Sequence, residues 1–269
     1  MRRPPAVAHQ FYPGDSATLR KTVAELTPEI AENRKINALA VITPHAGYIY
    51  SGAVAGETIA ISRIPANVIL LGPNHHGQGA PVALMASGSW QMPMGDVPIN
   101  EELSAILMRN SPIIHNDSLA HRLEHSLEVE VPFLQYSQPH LTLAPLVISH
   151  LPLDTCMQLG KDIAAAIGQY GKPVLIVASS DMTHYESRQE ASRKDRLAMD
   201  CIENLDPEGL YRTVNEKRIT MCGIMPATIA LAAAVELGAK RAELIRYTDS
   251  GETSGDTDHV VGYAGFIIS

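Results

Sequence analysis

Short continuous apolar runs alternate along the chain with segments whose apolar side chains recur every three or four positions. The runs at 38–42, 68–71 and 173–178 are typical of strands buried on both faces. Helical periodicity follows them, as in 154–170 and 187–204. This alternation predicts an α/β fold with a central, largely parallel or mixed sheet and helices on both faces.

The remaining elements fit the same architecture. Asp15 and Ser16 can cap the first helix, and Asn100 and Asp154 can cap two later ones. No linker rich in Pro, Gly or Ser divides the chain, so we predict one domain over 1–269. Further helices are predicted at 16–33, 53–62, 100–110, 127–136, 207–216 and 224–237, and further strands within 81–97 and at 141–148, 241–248 and 259–268.

Composition narrows the functional class. With 45% apolar and 19% charged residues, the chain has the composition of an ordinary globular protein. Its net charge is −8 and its only basic run is Arg2-Arg3, so we expect no nucleic-acid surface. No apolar stretch reaches the roughly 18 residues of a membrane span, and the N-terminal segment lacks the apolar core of a signal peptide. Three widely spaced cysteines fit a reducing, cytoplasmic location.

Histidines follow three of the predicted buried strands. They are His45, the pair His75-His76, and His184. Ligands of such sheets bind outside the carboxyl ends of the strands, and imidazole is the commonest metal-binding side chain in proteins. Adjacent residues of an extended segment point to opposite sides, so only His75 of the pair should reach a shared metal. A structural role for each histidine is the alternative.

Cys222 is a fourth candidate. It stands just before Gly223 and a predicted helix, where the helix dipole favours the metal-binding thiolate. The alternative is a small buried apolar side chain. We expect Cys156 and Cys201, which fall within helical patterns, to be of that second kind.

A competing motif lies at 121–125, where His121, Glu124 and His125 match the H-x-x-E-H signature of inverzincin metalloproteases. That chemistry needs a continuous helix, but Ser126 and Pro132 allow only a short one here. Two alternatives stay open: a loop whose polar groups cap neighbouring elements, or a segment whose His125 and Glu128 line the same pocket as the other histidines.

Seven motifs spread along the chain make it resemble the Memo family, named for "mediator of cell motility", and in particular its branch called AmmeMemoRadiSam system protein B. One local departure is His9, where the family pattern has glycine. The motifs are FYPGD at 11–15, PHAGYIYSG at 44–52, GPNHHG at 72–77, EHSLEVEVPF at 124–133, SSDMTHY at 179–185, CGIMP at 222–226 and VVGYAG at 260–265.

The resemblance implies the fold of class III extradiol dioxygenases, which hold Fe(II) by two histidines and a carboxylate. In Memo proteins the corresponding metal ligands are two histidines and a cysteine, which fall here on His45, His75 and Cys222. Asp181 and His184 are implied to line the pocket. Iron or copper is the metal that the family suggests, and the thiolate would also accept zinc.

Two functions follow from these observations. The first is a non-haem, dioxygenase-like metalloenzyme acting on a small molecule, with His184 as general acid or base and Asp181 orienting it or binding the metal. We predict that the substrate pocket is lined by His125, Glu128, His76 and Tyr48.

The second is a non-catalytic module that handles metal or binds a protein or peptide through the same pocket. The eukaryotic branch of the family is linked to phosphotyrosine-peptide recognition. The branch name implies a radical-SAM protein and an AMMECR-type protein as partners.

Overall fold

Nine strands form one mixed β-sheet through the middle of the protein, in a computed structural model that describes residues 1–269. Three further short strands, β1, β5 and β6, make a small second sheet. The strands are β1 Arg2–Arg3, β2 Ala40–Thr43, β3 Asn67–Pro73, β4 Val82–Leu84, β5 Ser89–Trp90, β6 Val97–Pro98, β7 His115–Asn116, β8 Thr142–Ile148, β9 Val174–Ser179, β10 His184–Glu186, β11 Ala242–Asp249 and β12 Val260–Ile268.

Helices cover both faces of the large sheet, as the sequence predicts. They are α1 Ser16–Leu26, α2 Tyr48–Ile61, α3 Glu101–Asn110, α4 Val131–Ser137, α5 Leu153–Tyr170, α6 Arg188–Glu203, α7 Pro207–Glu216, α8 Ile224–Glu236 and α9 Gly251–Ser254, with short 3-10 turns at Glu32–Arg34 and Glu128–Glu130. No helix is both long enough and apolar enough to cross a membrane.

The order of the strands puts a parallel block at the centre of the sheet. The large sheet runs β10-β12-β2-β9-β3-β8-β4-β7, with β11 paired to the side of β12. Strands β2, β9, β3 and β8 are parallel, while β12 joins β2 and β4 joins β8 in the antiparallel sense. The mixed α/β fold is therefore confirmed, and the carboxyl ends of β2, β9 and β3 lie side by side.

Strand β3 shows why its sequence is apolar at every position. Val68 and Leu70 belong to the core on the side of α1, α2 and α4, whereas Ile69 and Leu71 belong to the core on the opposite side. All four side chains are fully buried. A strand covered on both faces needs an unbroken apolar run, because successive side chains point to opposite faces.

Several predicted helix ends differ from the structure. Helix α2 begins at Tyr48, not at residue 53, and α4 begins at Val131, after a 3-10 turn, not at residue 127. The first helix ends at Leu26, not near residue 33, because Thr27 precedes Pro28 and a residue before proline avoids helical backbone. Asp15 does cap this helix, by accepting from the Thr18 N–H. Asp154 is not a cap: α5 begins one residue earlier, and Asp154 lies in its first turn.

Candidate metal centre

Three of the polar residues that follow the predicted strands lie together at one edge of the sheet. His45 follows β2, His75 follows β3, and Asp181 follows β9, which lies between those two strands. The ring centroids of His45 and His75 are 5.2 Å apart. Their proximity follows directly from the parallel pairing, because neighbouring parallel strands end at the same edge.

His125 completes the cluster from a loop outside the sheet. Its ring stacks on His75 with 4.5 Å between centroids and meets His45 edge-on at 5.5 Å. One ligand atom from each of His45, His75 and His125 lies within 4.8 Å of the others, so these three side chains could hold a metal ion. Burial and the neighbouring histidines lower the pKa of His125 to about 4, which leaves its ring neutral and able to bind a metal at pH 7.

Cys222 lies against this cluster, with its Sγ 3.3 Å from Nε2 of His45. The approach depends on Gly223, because a Cβ at that position would collide with the Ser179 carbonyl. As predicted, a helix begins just after Cys222. Its predicted thiolate character is wrong for the metal-free protein: burial, followed by the nearby Asp181 charge, raises the thiol pKa. Desolvation outweighs the hydrogen bonds from Asp181, Ser180 and Gly223, which lower the pKa.

Glu124 holds the histidines from behind. Its carboxylate accepts from the N–H of His75 at 2.7 Å and from Nδ1 of the same residue at 2.8 Å. It also accepts from the backbone N–H groups of His125 and Ser126, both at 3.0 Å. Burial raises its pKa, but these hydrogen bonds and the histidine charges outweigh burial and lower the pKa to about 2. Since Glu124 is ionised, Nδ1 of His75 must carry the proton, and Nε2 is left with the lone pair that a metal ion could use.

Ser179 fixes the second histidine in the same way. Its Oγ lies 2.6 Å from Nδ1 of His45 and donates to the Ser126 carbonyl at 2.7 Å. Because the hydroxyl proton is used on Ser126, Oγ accepts from Nδ1–H of His45. The lone pair on Nε2 of His45 then points toward Cys222.

Asp181 and His184 do not form the pair that the sequence suggested. Oδ1 of Asp181 accepts from the backbone N–H of His45 at 2.8 Å, so its carboxylate holds the segment that carries His45. Thr220 orients His184 instead, by its carbonyl 2.9 Å from Nδ1 and by its hydroxyl 2.7 Å from the backbone nitrogen. Burial raises the pKa of Asp181 to about 6, against the lowering effect of its hydrogen bonds.

Comparison with known proteins identifies the family. A model of the family described as "Memo-like protein" matches residues 3–267. The chain belongs to the Memo family. MEMO1 family proteins of Pyrobaculum arsenaticum and Methanopyrus kandleri are each 38% identical to it, over 99% and 100% of this chain and 98% and 99% of theirs. A MEMO1 family protein of Aquifex aeolicus is 39% identical over 99% of this chain and 98% of its own.

The fold has a counterpart among solved structures. The crystal structure of an uncharacterized protein from Escherichia coli K12 superimposes with a TM-score of 0.54 and 15% sequence identity. The match covers 85% of this Memo chain and 98% of the other chain. At that identity the likeness supports the fold alone.

Two predicted pocket residues are structural in this Memo protein. Glu128 is fully buried, and its carboxylate is occupied by the Arg3 guanidinium at 2.6 Å and the Tyr12 hydroxyl at 2.6 Å. Tyr48 is also buried and donates its hydroxyl to the Val129 carbonyl at 2.8 Å. The prediction that these two side chains line the substrate pocket is therefore wrong, because their polar groups form hydrogen bonds inside the protein.

The inverzincin alternative is wrong. Residues 121–123 form a turn and a bend and residues 124–125 are irregular, so there is no helix, and His121 is buried with Nε2 2.9 Å from the Ala83 carbonyl. His76 lies exposed in the turn after β3, near enough for its charge to lower the pKa of His125. A role for His76 at the pocket stays a prediction.

Three functional residues escaped the sequence analysis: Glu124 as the partner of His75, Ser179 as the partner of His45, and Thr220 as the partner of His184. The SSD motif contains Ser179, and EHS contains Glu124, so both lay in segments already singled out. Their roles depend on contacts between distant segments, which no local pattern displays.

Proposed function

We propose that this Memo protein is a non-haem metalloprotein whose metal site serves a dioxygenase-like reaction on a small molecule. The observation that carries the proposal is the convergence of three histidine ligand atoms within 4.8 Å, with a cysteine sulfur 3.3 Å from one of them. Two of these histidines have their Nδ1 atoms held by Glu124 and Ser179, an arrangement typical of metal-binding histidines.

The donor set favours a borderline or soft transition metal. His45 and His75 are common to both candidate ligand sets, one completed by His125 and the other by Cys222. Neutral imidazoles suit iron, copper and zinc, and a thiolate from Cys222 would shift the preference toward copper or zinc over harder ions. Metal binding would also displace the Cys222 proton, since a coordinating thiol is deprotonated. Iron or copper is therefore proposed, with zinc as a third candidate.

Proton transfer in the proposed reaction falls to His184. Its Nδ1–H donates to the Thr220 carbonyl, which leaves Nε2 free to accept or return a proton. Asp181 holds the backbone of His45 and contributes negative charge beside the ligands. A redox-active metal bound at the site would supply substrate coordination and electron exchange.

Oxygen consumption tests the catalytic proposal. The protein would be loaded anaerobically with Fe(II) or Cu(I) and then mixed with oxygen and catechol-like compounds, with His184→Gln as the test variant. The exposed His140 provides the matched control, His140→Gln. We expect uptake that depends on both substrate and metal, unchanged in His140→Gln and at least about 100-fold slower in His184→Gln. Uptake that is equal in the two variants would contradict the assigned proton-transfer role.

The alternative function is a metal-handling or interaction module. Two large, exposed side chains close in sequence to candidate site residues favour it: Tyr185, next to His184, is 74% exposed, and Ile49, four residues after His45, is 72% exposed. A radical-SAM protein or an AMMECR-type protein is the proposed partner. Stoichiometric metal binding without turnover, together with association of one of these partners that is lost in Tyr185→Ser, would favour this second function over the first.

A further inference from the structure

Arg3 is buried, unlike every other arginine and lysine of the protein. Its residue is 3% exposed, and its guanidinium lies over the Trp90 ring, 4.3 Å from the centroid. Nη1 donates to Glu128 at 2.6 Å. Arginine side chains are ordinarily solvated, so full burial with every edge in use points to a specific task.

The other two edges of the guanidinium bind the loop of the metal centre. Nε donates to the His121 carbonyl at 2.6 Å, and Nη2 donates to the Glu124 carbonyl at 2.7 Å. These carbonyls belong to the segment that carries Glu124 and leads directly into His125. The segment has no helix or strand hydrogen bonds of its own to fix its course.

The N-terminal segment encloses the same loop. Glu128 accepts from the N–H groups of Ala6 at 2.7 Å and Val7 at 3.0 Å, which ties residues 3–12 to the chain that follows His125. The ring of Phe11 packs on His125 with 4.8 Å between centroids. The loop therefore lies between the sheet edge and the N-terminal segment.

Stability alone does not account for this arrangement. A buried ion pair is often no more stabilising than apolar residues of similar size, because both charges lose their hydration. A planar guanidinium can donate hydrogen bonds to one carboxylate and two carbonyls at fixed angles, which a lysine ammonium cannot do.

We propose that Arg3 is a positioning residue of the metal centre, which acts through the His121 and Glu124 carbonyls to hold Glu124 and His125 in place for metal binding. The inference rests on the proposed metal site. Through Glu124 the effect extends to His75, whose ring orientation depends on that carboxylate.

Arg3→Lys separates positioning from charge. A lysine keeps a positive charge beside Glu128 but cannot also reach both carbonyls. Arg2→Lys is the matched control, since Arg2 pairs with Asp96 at the surface. Each purified full-length protein would be titrated with Co(II) and with Zn(II) at 25 °C, and its thermal unfolding followed separately.

We expect Arg3→Lys to remain folded at 25 °C, to bind both ions at least about 10-fold more weakly than the wild type, and to show an altered visible Co(II) spectrum. Arg2→Lys should match the wild type in affinity and spectrum. A folded Arg3→Lys with wild-type affinity and spectrum would overturn the inference while leaving the metal site intact.

Should Arg3→Lys unfold, a second variant that combines Arg3→Gln with Glu128→Gln removes both charges. Wild-type affinity in that double variant would overturn the inference. A wild type that binds neither ion would refute the proposed function itself.

Discussion

Glu124 accepts two hydrogen bonds from His75, with one carboxylate oxygen 2.7 Å from the backbone nitrogen and the other 2.8 Å from Nδ1 of the ring. The double contact fixes both where the histidine enters the site and which ring nitrogen faces it. It also makes the candidate metal centre depend on a residue outside the histidine cluster.

Glu124→Gln should therefore weaken metal binding without removing any ligand. The amide keeps the size of the side chain but loses the charge that stabilises Nδ1–H. We expect Zn(II) affinity to fall about 10- to 100-fold. Glu102→Gln, at an exposed position paired with Lys172, is the control and should leave affinity unchanged. Equal affinities in the two variants would show that Glu124 does not orient His75.

Cys222→Ser tests whether the sulfur is a ligand. A serine hydroxyl does not ionise near pH 7 and suits soft metals poorly, so affinity for Cu(I) and Zn(II) should drop by at least about 10-fold. Cys156→Ser and Cys201→Ser serve as controls, because neither thiol lies among the clustered histidines. Wild-type affinity in Cys222→Ser would remove cysteine from the site and leave His45, His75 and His125 as its ligands.

Gly223→Ala tests the close approach that brings Cys222 to the end of β9. The added methyl group would collide with the Ser179 carbonyl and the Ser180 side chain. We expect a loss of about 1–3 kcal/mol in the free energy of unfolding, together with weaker metal binding. In contrast, Gly168 in α5 has open space around it, and Gly168→Ala should raise stability by about 0.5–1 kcal/mol. Denaturant unfolding of both variants checks the opposite signs.

The raised pKa of Glu130 should make the stability of the metal-free protein depend on pH. Burial raises the pKa of this carboxyl from its ordinary value of 4.5 to about 8, despite the nearby side chains of Thr43 and Ser179, which lower it. Between these two values the folded state binds the proton that the unfolded state releases, so stability falls as pH rises from about 4.5 to 8. Glu130→Gln should remove that part of the slope. Parallel stability curves for the two proteins across this range would contradict the assignment.

The sequence predicted the sheet edge well and the loop above it poorly. His45 and His75 could be placed together because unbroken apolar runs identify parallel strands, and parallel strands share their carboxyl-terminal edge. His125 was expected only as a pocket residue, because its loop has no periodicity and is held by the distant Arg3. The position of Cys222 before a helix was right, whereas its protonation depends on packing that the sequence does not reveal.

The central claim is one metal site built on His45 and His75, and an anaerobic Zn(II) titration against a chromophoric chelator tests it most directly. The wild type should bind one ion per chain. We expect His45→Ala and His75→Ala to bind at least about 100-fold more weakly, because each loses a ligand outright, whereas exposed His140→Ala should match the wild type. A wild type without stoichiometric binding, or histidine variants that bind as tightly as the wild type, would contradict the account.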